Sequence, residues 1–318
     1  MKVIVHAQET EALVAQLRDA HPDIHISACQ TYTDLPAMIE TESPDAVYSI
    51  RFDSTSTYPA DALLGPGGPD WIAVGGSGID HLGHWDPAKT TVTNAAGVAA
   101  EMMAEYAFGS FLHFSLDISG LQRDKERRVW ASRLMSPLRG KTLLIIGLGH
   151  TGSAVAQLGK AFGMKTLGTR ARPAPMPNVD EVYAPGELPR LCQQADYVLV
   201  STPLVASTRN LVDASLFDVM KPGVVLVDVS RGGVINSKDL LDALRQGKIS
   251  GAALDVFETE PLPADSAFWE LPNILISPHC SSVFAEWDAA SMNLFCENLT
   301  RWQKGEPLKN IVDPVRGY

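Results

Sequence analysis

Gly147-Leu148-Gly149-His150-Thr151-Gly152 spaces its glycines as a G-x-G-x-x-G loop, directly after the apolar, strand-like run Thr142-Leu-Leu-Ile-Ile146. A loop of this kind between a buried strand and a helix suits a dinucleotide. The first glycine permits a tight turn, the second lets backbone approach the pyrophosphate, and the third lets the helix pack closely, with the phosphates at the helix N-terminus. Ser153 to Phe162 reads as that helix. After the next strand the chain runs Gly168-Thr169-Arg170-Ala171-Arg172, without the carboxylate that would bond a ribose 2′-hydroxyl. Two guanidiniums there can clamp a 2′-phosphate instead. The expected coenzyme is therefore NADP, with NAD possible.

Three further polar groups stand at or beyond the ends of strand-like runs, where doubly wound sheets gather ligands. Arg231 follows Leu226-Val-Asp-Val-Ser230 and precedes two glycines, Glu260 lies in Asp-Val-Phe-Glu-Thr-Glu-Pro, and His279 closes Ile274-Leu-Ile-Ser-Pro-His. Singly, they read equally as a surface ion-pair partner, a turn residue and a loop-edge histidine. Jointly, they offer a bidentate carboxylate clamp, a carboxylate and a proton donor beside a coenzyme loop. That is what hydride delivery to a keto carbon needs, because charge developing on the oxygen must be met by a proton and a fixed cation. A carboxylate beside an imidazole favours its protonated form.

With the coenzyme loop, Val229-Ser-Arg-Gly-Gly233, Gly251 to Pro263 and Ser277-Pro-His279 closely resemble the D-isomer-specific 2-hydroxyacid dehydrogenase family, over about Val74 to Ile311. The resemblance makes Arg231 the substrate clamp, Glu260 the partner of the histidine, and His279 the acid/base. It selects Glu260 over Glu258 because the family's carboxylate stands immediately before Pro-Leu-Pro. It turns Asp255 toward the nicotinamide carboxamide, although a structural cap at the strand end explains that residue equally. Pro203, in Ser201-Thr-Pro-Leu204, resembles the coenzyme-lining loop after the fourth strand, and Val229 joins the same coenzyme set with Thr169. Gly75-Gly-Ser-Gly-Ile-Asp80 resembles the family's substrate-carboxylate loop, which nominates Ser77 and Gly78, with Arg51 reaching the same cleft. His81, His84 and Trp130 line that cleft or a subunit contact.

Within the family, Ser49-Ile-Arg51 and Gly78-Ile-Asp-His-Leu82 resemble the glyoxylate/hydroxypyruvate reductase branch. The implied reaction is reduction of a short 2-keto acid to the D-2-hydroxy acid, and the resemblance implies a homodimer. Oxidation of 3-phosphoglycerate is the rival reaction, and it wants more basic residues. A coenzyme-sensing corepressor is a rival of another kind, against which intact Arg231, Glu260 and His279 argue.

The elements that must position these residues are legible as alternation. Lys2 to His6, Ile24 to Ala28, Ala46 to Arg51 and Trp71 to Val74 are short strand-like runs separated by helical stretches such as Thr10 to Ala20. A long helix is expected from Ala99 to Ser115, followed by a solvated charged stretch, Arg123 to Arg128. A second series of six strands begins at Thr142 and continues at Lys165, Tyr197, Val224, Ala252 and Ile274, and Arg172 to Pro177 and Glu260 to Pro263 read as loops. The fold class is α/β, with two Rossmann-like doubly wound parallel-sheet domains. Residues 1–97 and 284–318 form a flavodoxin-like substrate domain, into which the dinucleotide-binding domain, 98–283, is inserted. The helical segment Ala285 to Gly305 returns to the first domain, and the cleft is expected to close over substrate.

The whole chain sets outer bounds. Its 318 residues suit two domains, and 45% apolar with 20% charged residues is a globular composition. A net charge of −11 argues against nucleic acid and anionic membranes as partners. Four scattered cysteines, without metal-ligand spacing, point to reduced thiols and a cytoplasmic setting, and no metal is expected. No apolar run is long enough for a membrane span or an export signal.

Overall fold

The computed structural model describes residues 1–52, 56–314 and 316. The chain forms two compact units, Met1–Val98 with Phe284–Tyr318, and Ala99–Val283, so the second interrupts the first in sequence.

The first unit runs β1 (Lys2–His6), α1 (Glu11–Ala20), β2 (His25–Cys29), α2 (Leu35–Glu42), β3 (Ala46–Ser49), α3 (Ala60–Leu64), β4 (Trp71–Val74) and β5 (Thr91–Asn94). Its five strands are parallel in the order β2-β1-β3-β4-β5, the flavodoxin-like 2-1-3-4-5 arrangement. Strand alternation sends Ile4, Val47, Ile72 and Val92 to one face, against Leu35, Ile39 and Leu63 of α2 and α3. Val3, Val5, Tyr48 and Trp71 face the other way, against Leu13 and Leu17 of α1 and the C-terminal helix.

The second unit opens with α4 (Ala100–Ser115) and α5 (Ile118–Arg127), then runs β6 (Thr142–Ile146), α6 (His150–Ala161), β7 (Lys165–Thr169), β8 (Glu181–Tyr183), α7 (Leu188–Cys192), β9 (Tyr197–Val200), α8 (Ala214–Val219), β10 (Val224–Asp228), α9 (Ser237–Arg245), β11 (Ile249–Leu254) and β12 (Ile274–Ile276). Its sheet is parallel, in the order β12-β11-β10-β9-β6-β7-β8. Numbered within the unit, this is the Rossmann order 3-2-1-4-5-6 with a further strand at the edge. Leu143, Ile145, Leu199 and Val227 pack on α4 and α6, while Leu144, Ile146, Val198 and Leu226 pack on α7, α8 and α9. Helices on both faces explain why these strands read as continuous apolar runs.

Finally α10 (Trp287–Gln303) rejoins the first unit, burying Met292, Phe295 and Leu299 beside Trp71. The Trp71 and Trp302 rings stack at 5.5 Å.

Two strands depart from the sequence expectation. The second sheet has seven strands where six are read from apolar runs, because Glu181-Val-Tyr183 is a half-buried edge strand too short to carry a period. Thr91-Val-Thr-Asn94 is also a strand; its threonines hide the pattern, yet it buries Val92, Thr93 and Asn94. Helix α6 starts at His150, not at Ser153, because Gly152 sits inside its first turn. No helix is long and apolar enough to cross a membrane among the described residues.

Candidate active site

Because every strand of the second sheet runs the same way, the residues that follow β6, β7, β9, β10, β11 and β12 emerge at one carboxyl edge. Apart from Thr169, which ends β7, and Trp130, which precedes β6, the candidates of that unit follow these strands.

At the end of β6, Gly147 takes φ +106°, a left-handed value that favours glycine. A Cβ there would lie 2.8 Å from the Thr202 amide nitrogen. The Ser201 hydroxyl donates to the Gly147 carbonyl at 2.9 Å, so the loop holding Pro203 is bonded to the glycine turn. On its other side the amides of Gly147 and Leu148 donate to the Thr169 carbonyl at 3.2 and 2.9 Å. Thr169 is buried and holds this loop through its backbone.

Gly149 caps α6 in extended conformation, and a Cβ on it would meet nothing within 4 Å. Gly152 is the reverse, since its Cβ would fall 2.3 Å from the Gly147 carbonyl oxygen. The His150, Thr151 and Gly152 amides occupy the first turn, where helix geometry supplies no acceptor. An open glycine at a helix N-terminus fits a dinucleotide pyrophosphate. Arg170 is half-buried, with Nη1 3.2 Å from Met176 Sδ, and Arg172 is exposed.

At the end of β10, Asp228 Oδ1 accepts from the Ser230 amide at 2.9 Å and from its hydroxyl. Arg231 Nη1 donates to the Ser230 carbonyl at 2.8 Å. Gly232 follows at a point where a Cβ would stand 1.9 Å from the Phe257 carbonyl oxygen. The arginine turn is therefore seated directly on the segment that leads to Glu260. Val229 is buried, with its side chain in the core and its amide donating to Val200 at 3.0 Å, which leaves backbone as its route to a ligand.

Glu260 Oε1 accepts the Phe257 amide at 2.9 Å, and Oε2 lies 2.8 Å from His279 Nδ1. Both side chains keep about a third or more of their surface, at 36% and 40%. His279 adopts φ +53°, a left-handed value, and its amide donates to the Asp255 carbonyl at 2.9 Å. With Nδ1 turned to Glu260, Nε2 is the ring nitrogen left for a reacting oxygen.

Asp255 is 1% exposed and uses both oxygens on the His279 loop. Oδ1 accepts from the Ser277 hydroxyl at 2.6 Å and the Cys280 amide at 2.9 Å, and Oδ2 accepts from Ser281 at 3.0 Å. This geometry favours the structural cap over a carboxamide-facing role. Tyr106 of α4 shares a 2.7 Å hydrogen bond with the Ser277 hydroxyl, and burial raises its phenol above the ordinary range. Sequence offers no signal for Tyr106, which is 171 positions from its partner.

In the first unit, Ser77 is exposed beyond β4; its carbonyl accepts from Asn94 Nδ2 at 2.8 Å. Gly78 follows it, half-buried, and Arg51 is exposed beyond β3. Close by in that unit lies a cluster absent from the sequence reading. His6 Nδ1 meets the Ser49 hydroxyl at 2.7 Å, and that hydroxyl meets Tyr58 Oη at 2.6 Å. Tyr58 stands edge-on to His81 at 4.4 Å. Burial pulls both imidazoles down to about 4, and the Arg51 charge adds to the effect at His81. Among the described residues there is no cluster of three or more His, Cys, Asp or Glu fit to hold a metal.

Residues 108–281 match the model of the D-isomer specific 2-hydroxyacid dehydrogenase NAD binding domain. The chain is 32% identical to a glyoxylate reductase from Korarchaeum cryptofilum, over 82% of this chain and 81% of that protein. Among solved structures, a D-isomer specific 2-hydroxyacid dehydrogenase family protein from Aeromonas salmonicida superposes with a TM-score of 0.87 at 32% identity, covering 98% and 99% of the two chains. A probable 2-hydroxyacid dehydrogenase from Rhizobium etli, in complex with NADP, gives 0.84 at 26% identity, covering 100% and 99%.

Proposed function

Since the chain belongs to the D-isomer specific 2-hydroxyacid dehydrogenase family, whose members are NAD(P)-dependent enzymes, we propose that it reduces a short 2-keto acid of the glyoxylate or hydroxypyruvate type. The product is the 2-hydroxy acid, D where chiral, and NADPH is preferred to NADH. The observation that carries this reading is the 2.8 Å contact of His279 Nδ1 with Glu260 Oε2, at the sheet edge that also bears the Gly147–Gly152 loop.

A bound NADPH supplies the hydride for the keto carbon. The chain's own residues do the rest. His279, held at Nδ1 by Glu260, donates its Nε2 proton to the keto oxygen as that oxygen gains charge, completing the hydroxyl. Arg231 holds the carboxylate and draws charge toward the oxygen. Gly147, Gly149, His150, Thr151 and Gly152 take the pyrophosphate, and Arg170 and Arg172 take the 2′-phosphate. Asp255 keeps His279 in place through its loop, and Pro203, Val229 and Thr169 line the coenzyme with backbone. Ser77, Gly78 and Arg51 are assigned to the substrate carboxylate on the family resemblance.

The name of the Korarchaeum relative supports the short substrate, and the NADP in the Rhizobium structure supports the coenzyme. Four free cysteines support a reducing, cytoplasmic setting. The apolar side chains of Trp130 and Leu134, fully exposed, support a homodimer. A panel of 2-keto acids run with NADH and with NADPH tests the proposal. Fastest NADPH oxidation with the shortest acids is expected, and coenzyme binding without turnover of any member would favour a sensor instead.

A further inference from the structure

Asp228 closes β10, and Asp255 follows β11 on the neighbouring strand, with the Asp255 amide donating to the Asp228 carbonyl at 3.1 Å. Both carboxylates are buried side by side, yet they serve different partners. Asp255 is satisfied by three donors around His279. Asp228 reaches the other catalytic group, since Ser230 donates to its Oδ1 twice and the Ser230 carbonyl accepts from Arg231 Nη1. A single residue therefore connects a buried carboxyl to the guanidinium.

The charged groups facing Asp228 are Asp255 from the end of β11, Arg231 from its own turn, and Glu258, which lines the same small cavity as Asp228. Burial raises the Asp228 carboxyl to about 7; the Ser230 hydrogen bonds pull against this, Asp255 adds to it, and Arg231 opposes it. The ionisation of Asp228 is thereby moved from the ordinary carboxylate range toward neutral pH.

We propose that Asp228 is a positioning residue for Arg231, and that its ionisation loosens the hold of Arg231 on a substrate carboxylate. The proposal rests on the reading of Arg231 as the substrate clamp. When Asp228 is neutral, one anion fewer draws on the guanidinium that meets the incoming carboxylate. When it is ionised, a second anion behind the same cation competes for it in a low-dielectric setting. Affinity for the keto acid therefore falls as pH rises through 7, independently of proton donation by His279. By linkage, binding of the carboxylate favours neutral Asp228 and takes up part of a proton.

The test measures kcat and KM for glyoxylate with saturating NADPH, from about pH 6 to about pH 8.5, in the wild type and in Asp228→Asn. Asparagine keeps an acceptor for Ser230 and stays neutral. In the wild type KM is expected to rise roughly fivefold across this range. In D228N it is expected to stay at the low-pH value, while kcat keeps the same pH slope in both proteins. A KM that climbs in parallel in the two overturns the proposal.

A second measurement does not depend on this variant or on turnover. Calorimetric titration of glyoxylate into the NADPH complex of His279→Gln, in two buffers of different ionisation enthalpy near neutral pH, should show proton uptake. Binding without uptake overturns the role of Asp228. Failure of wild-type turnover would strike the proposed reaction, and this titration still reads Asp228.

Discussion

Glu260 Oε2 lies 2.8 Å from His279 Nδ1, while Glu260 Oε1 is held by the Phe257 amide at 2.9 Å. One carboxylate therefore fixes both the tautomer and the direction of the imidazole, and is itself fixed by backbone. Under the proposed mechanism, replacing His279 by Gln removes the proton donor and should lower kcat by about 10² to 10⁴. Glu260→Gln removes a charge-assisted hydrogen bond of about 1.5–3 kcal/mol, a factor of about 10 to 150 in rate. Its coenzyme KM should stay unchanged. Steady-state kinetics read both, and a Glu260→Gln enzyme as fast as the wild type would remove the pair from the mechanism.

Asp255 presents a different expectation, because its partners are the loop and not a ligand. Asp255→Ala leaves the Cys280 and Ser281 amides and the Ser277 hydroxyl without their acceptor. The Ser281 amide, buried and left unpaired, costs about 1–3 kcal/mol, whereas the Ser277 hydroxyl keeps its Tyr106 partner. The variant should lose stability in denaturant titration and lose turnover with it, as the His279 loop slackens. A protein that is less active but equally stable would instead point to direct contact with the coenzyme.

The proposed NADPH preference rests on one loop. Arg170→Asp replaces a cation at the end of β7 by the carboxylate that bonds a ribose 2′-hydroxyl and repels a 2′-phosphate. The KM for NADPH should rise by about tenfold to hundredfold, from loss of a charge-assisted contact. NADH should become the better substrate. Unchanged NADPH kinetics would assign Arg170 to solvent and to its Met176 contact.

These sites differ in how far the sequence announces them. The Gly147–Gly152 loop is readable because a local strand, turn and helix carry it. Arg231, Glu260 and His279 are readable because each follows an apolar strand, and one parallel sheet then delivers all three to one edge. By contrast, His6, Ser49 and Tyr58 meet across β1, β3 and the loop beyond, 43 and 9 positions apart, with no shared period. Tyr106 and Ser277 meet in the same way across the second unit. Strands β5 and β8 were hidden because Thr-Val-Thr-Asn and Glu-Val-Tyr are stabilised by sheet pairing and not by apolar content.

The His6 cluster gives the first unit an acid limit. His6 is fully buried, and burial holds it near 4 against an ordinary 6.5. The folded state binds this proton less readily than the unfolded chain. The stabilisation is therefore complete above about pH 6.5, is lost between about 6.5 and 4, and levels off below that. The full effect is on the order of 3 kcal/mol. His6→Gln, which cannot take up the proton, should flatten part of the fall in unfolding free energy between about pH 6.5 and pH 4. Identical pH profiles for variant and wild type would show that the buried imidazole does not titrate against the fold.

Two glycines in one loop should separate folding from coenzyme binding. A Cβ on Gly149 meets nothing within 4 Å, and its backbone is extended, so Gly149→Ala should melt within about 1 kcal/mol of the wild type. In the proposed coenzyme site the added methyl nevertheless stands where backbone would approach the pyrophosphate, and NADPH affinity should fall by at least about tenfold, from lost close contact. Gly152→Ala places its Cβ 2.3 Å from the Gly147 carbonyl oxygen, inside the packed strand-to-helix turn. It should destabilise the second unit by about 1–3 kcal/mol and weaken coenzyme as a consequence. Thermal melts paired with NADPH fluorescence titration distinguish the two variants. If Gly149→Ala binds NADPH as tightly as the wild type, the open face of that glycine does not receive the phosphates.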